Sequence, residues 1–218
     1  MKKDCSLFFI RHGRLLLPYK DHSEMPFKVL TDLASLKLNP PIDKKFAIEQ
    51  ISQLAENIPL QDVKNIYASP SKRCQDTAQF IGEFIFKSYR KNIDVVTSLE
   101  LSEIKFDLAK IYPHKDNENF GIESINDAVF RAMVNPGENC ESASSAYKRI
   151  AGFLGSIMMK ESSLFVTHDF IMRIIEIYIR NRREMGNVIA YGELKNTQRN
   201  MYLHGFATNF TFDNFSSF

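Results

Sequence analysis

The chain reads as an α/β protein: a three-layer sandwich with a mostly parallel central sheet flanked by helices, plus a small helical insertion. Three observations lead there. Strand-like apolar runs alternate with helix-period patterns along most of the chain, the order that a parallel sheet covered on both faces imposes. The length, 218 residues, suits one domain, or one domain carrying an inserted segment. Hydrophobic residues at 44% and charged residues at 25% match an ordinary globular protein, and no repeat, low-complexity tract or linker divides the chain. The expectation is a single domain over residues 1–218, with residues about 104–137 as an inserted, cap-like segment.

In order along the chain, Ser6 to Ile10 is a Phe-rich apolar run and reads as a buried strand. Residues 14–42 carry Pro18, Pro26, Pro40 and Pro41 and read as a long irregular connection, of the kind that often forms a lid or binding loop. Asp43 is placed to cap a helix reaching about Asn57, with Phe46, Ile48, Ile51, Leu54 and Ile58 as its apolar positions. Asn65 to Ser69 reads as a second strand. Ser69-Pro70 is then a suitable N-cap and first position for a helix bearing Ala78, Ile81, Phe84 and Ile85 on one face. Asp94 to Ser98 is a third strand. The insertion holds one or two helices, the second capped by Ser124 and ended by Asn135-Pro136-Gly137. Glu141 to Lys160 is amphipathic through Ala146, Ile150, Phe153 and Ile157. Ser163 to Thr167 is a fourth strand, followed by a helix from Asp169 to Arg182. The last thirty residues favour strands at Asn187 to Tyr191, Asn200 to Leu203 and Ala207 to Phe212.

Charge and cysteine usage remove several classes of function. Lys+Arg 28 against Asp+Glu 26 gives a net charge of +2, without the basic surplus of a nucleic-acid binder. The cluster Arg180, Arg182 and Arg183 sits at a helix end, where cations suit the helix dipole. Cys5, Cys74 and Cys140 are odd in number and far apart, which argues against a disulfide framework or a zinc site. Met1-Lys2-Lys3 is followed by an apolar run too short for a secretory signal, and Phe170 to Ile179 is interrupted by Arg173 and Glu176. The expectation is a cytoplasmic protein with no membrane or nucleic-acid partner. On that reading the Asn-x-Ser/Thr matches at Asn209 and Asn214 are strand and tail sequence.

In a parallel sheet, ligands bind beyond the carboxyl ends of the strands. Polar residues that follow strands should therefore converge. Arg11-His12-Gly13 follows the first strand, Arg73 lies in the first turn after the second, Glu103 comes shortly after the third, and His168 follows the fourth directly. Guanidinium forks match phosphate oxygens, and a helix start near Arg73 adds N–H groups for an anion. A neutral imidazole with its other nitrogen fixed on a carbonyl is a competent nucleophile toward phosphorus, and Gly13 would let the backbone approach. A carboxylic acid of raised pKa can protonate the leaving oxygen and then activate water. Each residue alone has a plainer reading: surface charge for Arg11 and Arg73, a structural histidine for His168, a solvated carboxylate for Glu103. Their joint placement favours the site. A zinc reading of His12 and His168 is poorer, because the arginines oppose a cation.

Those residues carry a resemblance. Phe8-Phe9-Ile10-Arg11-His12-Gly13 resembles the Arg-His-Gly signature of the histidine phosphatase superfamily, also called phosphoglycerate mutase-like. Ser69-Pro70-Ser71-Lys72-Arg73-Cys74-Gln75-Asp76-Thr77-Ala78 is similar to its second arginine motif. Leu101-Ser102-Glu103-Ile104-Lys105-Phe106 is similar to its proton-donor segment, which selects Glu103 over Glu100. Gly137-Glu138-Asn139-Cys140-Glu141-Ser142 with Arg149 resembles the family's Gly-Glu-Ser stretch and following helix, and Phe165-Val166-Thr167-His168 its second-histidine strand. The resemblance implies a phosphohistidine intermediate on His12, a phosphate pocket of Arg11, Arg73 and His168, and Glu103 as general acid and then base. It implies no metal or organic cofactor. Arg14 is a candidate further phosphate ligand, with an exposed loop arginine as the equal alternative.

Two positions depart from the pattern. Asp169 stands where the family usually has Gly after the second histidine. It would either repel phosphate or cap the next helix. Arg14-Leu15-Leu16-Leu17-Pro18 replaces the Glu-Ser/Thr-x-x-Asn run of the mutases, which favours hydrolysis over mutase activity. The expected activity is a phosphomonoester hydrolase acting on a small phosphorylated metabolite. The alternatives are a protein phosphohistidine- or phosphoserine-type phosphatase and a catalytically inactive phosphate-binding protein.

Overall fold

Leu7 and Phe9 of the first strand, β1 (Ser6–Arg11), face one side of a sheet, while Phe8 and Ile10 face the other, and all four are buried. A strand apolar on both faces needs cover on both. The computed structural model describes residues 6–19, 24–112, 121–157, 161–180 and 189–197, and the backbone of 207–211. Its further strands are β2 (Asn65–Ala68), β3 (Val95–Thr97), β4 (Ser163–Thr167) and β5 (Ala207–Thr211), and the sheet order is β3-β2-β4-β1-β5. The first four strands pair in parallel, and β5 runs antiparallel along the free edge of β1.

Two helices, α2 (Lys44–Asn57) and α3 (Lys72–Tyr89), cover one face, packing Ile51, Leu54, Ala78, Ile81 and Ile85 on Phe8, Ile10, Ile66, Leu164 and Val166. The other face is covered by α5 (Ile122–Val134), α6 (Ala143–Ser156), α7 (Asp169–Arg180) and α8 (Tyr191–Lys195). Beneath them Phe165 stacks between Phe9 and Tyr67, with ring centroids 4.8 and 5.2 Å apart. Each such buried ring contributes about 1.5–3 kcal/mol by removal from water. A third, smaller core joins the long connection after β1 to the segment after β3. Met25 with Leu30 and Leu33 of α1 (Phe27–Ala34) packs on Leu108 of α4 (Leu108–Ile111) and Ile125 of α5. Thus α5 faces two ways, since Val129, Phe130 and Met133 enter the main core.

Several sequence expectations are corrected. The 14–42 connection contains α1, because Leu30 and Leu33 find an apolar partner in the segment after β3 despite the surrounding prolines. Ile48 is 61% exposed; the buried face of α2 is Ala47, Gln50, Ile51 and Leu54. The helix after β2 starts at Lys72 with Ser71 as N-cap, two residues later than Ser69-Pro70 suggested, since Ser69 serves the site below. Gly121, not Ser124, occupies the N-cap of α5. Within the expected strand at 187–191, Ile189 and Ala190 are not extended in any ladder and Tyr191 opens α8; residues 187 and 188 lie outside the described residues. The expected strand at 200–203 and the ends of the helices at 158–160 and 181–182 also lie outside them. Asp43 caps α2 as expected, its carboxylate accepting from the N–H groups of Lys45 and Phe46.

Candidate active site

The register of the sheet brings the two histidines together. Arg11 is level with Thr167, so His12 and His168 emerge side by side from β1 and β4, and the His12 N–H donates to the Thr167 carbonyl at 3.0 Å. Their rings meet edge to face, 5.3 Å between centroids. The helix after β4 packs on one face of the sheet, while α2 and α3, after β1 and β2, pack on the other. Such a reversal opens a crevice at the strand ends.

Each imidazole has an assignable tautomer. His12 Nδ1 lies 2.9 Å from the Gly13 carbonyl, which only accepts, so Nδ1 carries the proton and Nε2 keeps its lone pair. Burial holds the His12 pKa well below the ordinary imidazole value, and Arg73, Arg11 and His168 push the same way. Arg73 Nε and Nη2 lie 3.4 and 3.3 Å from His168 Nδ1. Arginine only donates, so His168 Nδ1 is bare and Nε2 donates, to Ser69 Oγ at 2.9 Å with Ser71 Oγ at 3.3 Å. Burial, then Arg73 and Arg11, hold His168 neutral too.

The cations sit around these rings. Arg73 is buried in the first turn of α3. Arg11 Nη1 is 3.8 Å from Asp169 Oδ1, and Arg11 Nε is buried with no hydrogen-bond partner among the described residues. Asp169 neither caps α7 nor stands unpaired: its Oδ2 accepts from Arg173 Nε at 3.1 Å. Arg173, 2% exposed, also donates to Thr197 Oγ1 at 2.6 Å and lies over the Phe130 ring. Glu103 follows β3 on a loop whose Leu101 carbonyl accepts from Thr167 Oγ1 at 2.7 Å. Burial raises the Glu103 carboxyl to about 7, and Asp169 adds to the rise, against the Ile104 N–H, Arg73 and Arg11. Glu100 instead accepts from Ser98 Oγ at 2.8 Å. The fold thus gathers Arg11, His12, Arg73, Glu103 and His168. Arg14 is placed differently, its guanidinium over the Phe46 ring of α2 at 5.3 Å.

A family model for the histidine phosphatase superfamily (branch 1) matches residues 7–186. The chain belongs to the histidine phosphatase superfamily. A 2,3-bisphosphoglycerate-dependent phosphoglycerate mutase of Thermoplasma acidophilum is 30% identical over 159 residues, spanning 71% of this chain and 72% of the relative. Solved structures with the same fold include a mycobacterial glucosyl-3-phosphoglycerate phosphatase complexed with VO3 (TM-score 0.55, 15% identity, 88% of this chain and 85% of that one). A putative alpha-ribazole-5'-P phosphatase from Escherichia coli has TM-score 0.51 and 16% identity, covering 96% of both chains.

Within this member of the superfamily, sequence reasoning overlooked the residues that hold the candidate site residues in place. Ser69 was legible only as a helix cap, yet it orients His168. Thr77 Oγ1 accepts from the Gly13 N–H at 2.9 Å and donates to the Arg73 carbonyl at 2.6 Å, tying the end of β1 to α3. Both lie inside the second arginine motif, at its first Ser and its Thr. The expected reason for Gly13 does not hold: a Cβ there would meet its neighbours at 3.6 Å or more, which is ordinary contact. Cys74 Sγ is 3.5 Å from His168 Nε2, but burial pushes the thiol up to about 12, so it stays protonated. A groove of about 840 Å³ opens beside Glu103, between Leu99, Lys105, Lys148, Arg149 and Phe153. Among the described residues no helix is long and apolar enough to cross a membrane.

Proposed function

We propose that the protein is a phosphomonoester hydrolase of small phosphorylated metabolites, working through a phosphohistidine on His12 without a metal ion. The observation that carries this reading is the His12 ring itself: neutral, proton fixed on Nδ1 by Gly13, and flanked by Arg11, Arg73 and His168. In the first step the Nε2 lone pair forms a bond to phosphorus while the bond from phosphorus to the ester oxygen breaks. Glu103, protonated near neutrality, gives its proton to that oxygen. In the second step the Glu103 carboxylate takes a proton from water, whose oxygen displaces His12 and releases phosphate. Arg73 and Arg11 stabilise the equatorial oxygens throughout, Arg11 through its buried unpartnered Nε, and His168 donates a further hydrogen bond if its Nε2–H turns from Ser69.

The Thermoplasma relative is named as a mutase, and the fold neighbours as phosphatases. Hydrolysis is favoured because Leu15 and Pro18 stand where the mutase run carries Ser/Thr and Asn. The test is release of phosphate from an aryl phosphate and a panel of phosphorylated metabolites. Turnover should persist with a chelator and be abolished by His12→Ala in folded protein. Full activity of that variant, or phosphate binding with no turnover of any phosphoester, would overturn the reading.

A further inference from the structure

The loop that presents Glu103 is gripped at three successive carbonyls. Thr167 Oγ1 holds Leu101, as above, and Arg149 of α6 holds the residues on either side. Its Nη1 donates to the Ser102 carbonyl at 3.1 Å and to the Glu100 carbonyl. The Ser102 carbonyl belongs to the peptide that enters Glu103, so fixing it fixes the plane from which the Glu103 side chain departs. The other side of the same guanidinium pairs with Glu141, Nε and Nη2 to Oε1 at 3.2 and 3.0 Å and Nη2 to Oε2 at 3.0 Å. Glu141 closes the far side of the loop. Its N–H donates to the Lys105 carbonyl at 2.7 Å, and its carboxylate accepts from the Lys105 N–H at 3.4 Å. A bridge between Phe106 and Cys140 continues the contact. One ion pair, three-quarters or more buried on each side, therefore holds the chain both before and after Glu103.

We infer that Arg149, oriented by Glu141, is a positioning residue for Glu103, setting the direction of its carboxyl group relative to the ester oxygen. The inference rests on the reading of Glu103 as proton donor. Neither residue reaches His12 in any contact described above; both act through backbone. A lysine in place of Arg149 keeps the charge but lacks the planar fork that spans two carbonyls and a carboxylate at once.

Leaving-group dependence separates positioning from general weakening of the fold. A good leaving group, such as dinitrophenol, needs no proton, whereas an alkyl alcohol does. Because kcat/KM reports only the first step, Arg149→Met should lower kcat/KM for an alkyl phosphate by about 10-fold or more and for dinitrophenyl phosphate by less than about threefold. Arg149→Lys should show the same pattern to a smaller degree, and serves if the Met variant does not fold. Glu103→Gln, assayed beside them, should give the same pattern more strongly. If Glu103→Gln discriminates between the two esters and the Arg149 variants lower both equally or neither, positioning is refuted while the proton donor stands. If Glu103→Gln does not discriminate, or the wild type turns over neither ester, the underlying reading falls and takes this inference with it.

Discussion

A histidine attacks phosphorus only while it is neutral, and a carboxyl group protonates a leaving oxygen only while it is not ionised. At the residue scale the site meets both demands by one means, burial. Loss of water lowers His12 and raises Glu103, in each case disfavouring the charged form, and the arginines deepen the first effect while opposing the second. The pH dependence follows in sign. The free enzyme needs neutral His12 and protonated Glu103; His12 stays neutral well below its ordinary range, whereas Glu103 loses its proton through about 7. The kcat/KM for an alkyl phosphate should therefore fall as pH rises through about 7, and Glu103→Gln should be slower with that alkaline decline removed. A decline unchanged in Glu103→Gln would assign it to another group. Asp169 would repel an anion if it stood alone, but its negative charge is shared between Arg11 and Arg173, so its field at the phosphate position is largely compensated.

At the scale of elements, the site depends on how β1, α3 and β4 are held to one another. Thr77 is the tether between the first two: it satisfies the buried Gly13 N–H and bonds back to Arg73. Thr77→Val keeps the shape but leaves that N–H without a partner. It should cost about 1–3 kcal/mol of stability and lower kcat in folded protein, measured by chemical unfolding and by turnover. An unchanged stability would mean that Gly13 finds another partner. The strands of this unit were legible because each is an apolar run closed by a polar residue, and β4 matches its expected bounds. The start of α3 was misread because Ser69-Pro70 offers a good local cap, and a tertiary hydrogen bond to His168 outweighs it. Four prolines hid α1, whose stability comes from a partner about eighty residues away and not from its own sequence. The run Asn187 to Tyr191 looked like a strand by residue preference, yet Tyr191 opens a helix that packs Leu194 into the core.

For the whole molecule, a parallel sheet converts residues far apart in sequence into neighbours. Arg11 and His12, Arg73, Glu103 and His168 each follow a different strand, and register alone brings the two imidazoles to 5.3 Å. This is why the convergence of this set is legible in the sequence: strand ends are visible there, and polar residues placed at them have one edge to share. The supporting set was not readable in the same way. Ser69, Thr77, Arg149 and Glu141 act on backbone groups or on another side chain's nitrogen, and such partners are chosen by packing, which leaves no periodic trace in sequence.

The central claim is that the His12 imidazole accepts the phosphoryl group. Rapid quenching during turnover of a phosphomonoester, followed by mass spectrometry of the digested protein, tests it directly. The account predicts an acid-labile, alkali-stable phosphoryl group on the peptide bearing His12, absent in His12→Ala and accumulating in Glu103→Gln when the first step uses a good leaving group. Steady turnover with no phosphorylated enzyme at any quench time, or a phosphoryl group on another residue, would contradict it.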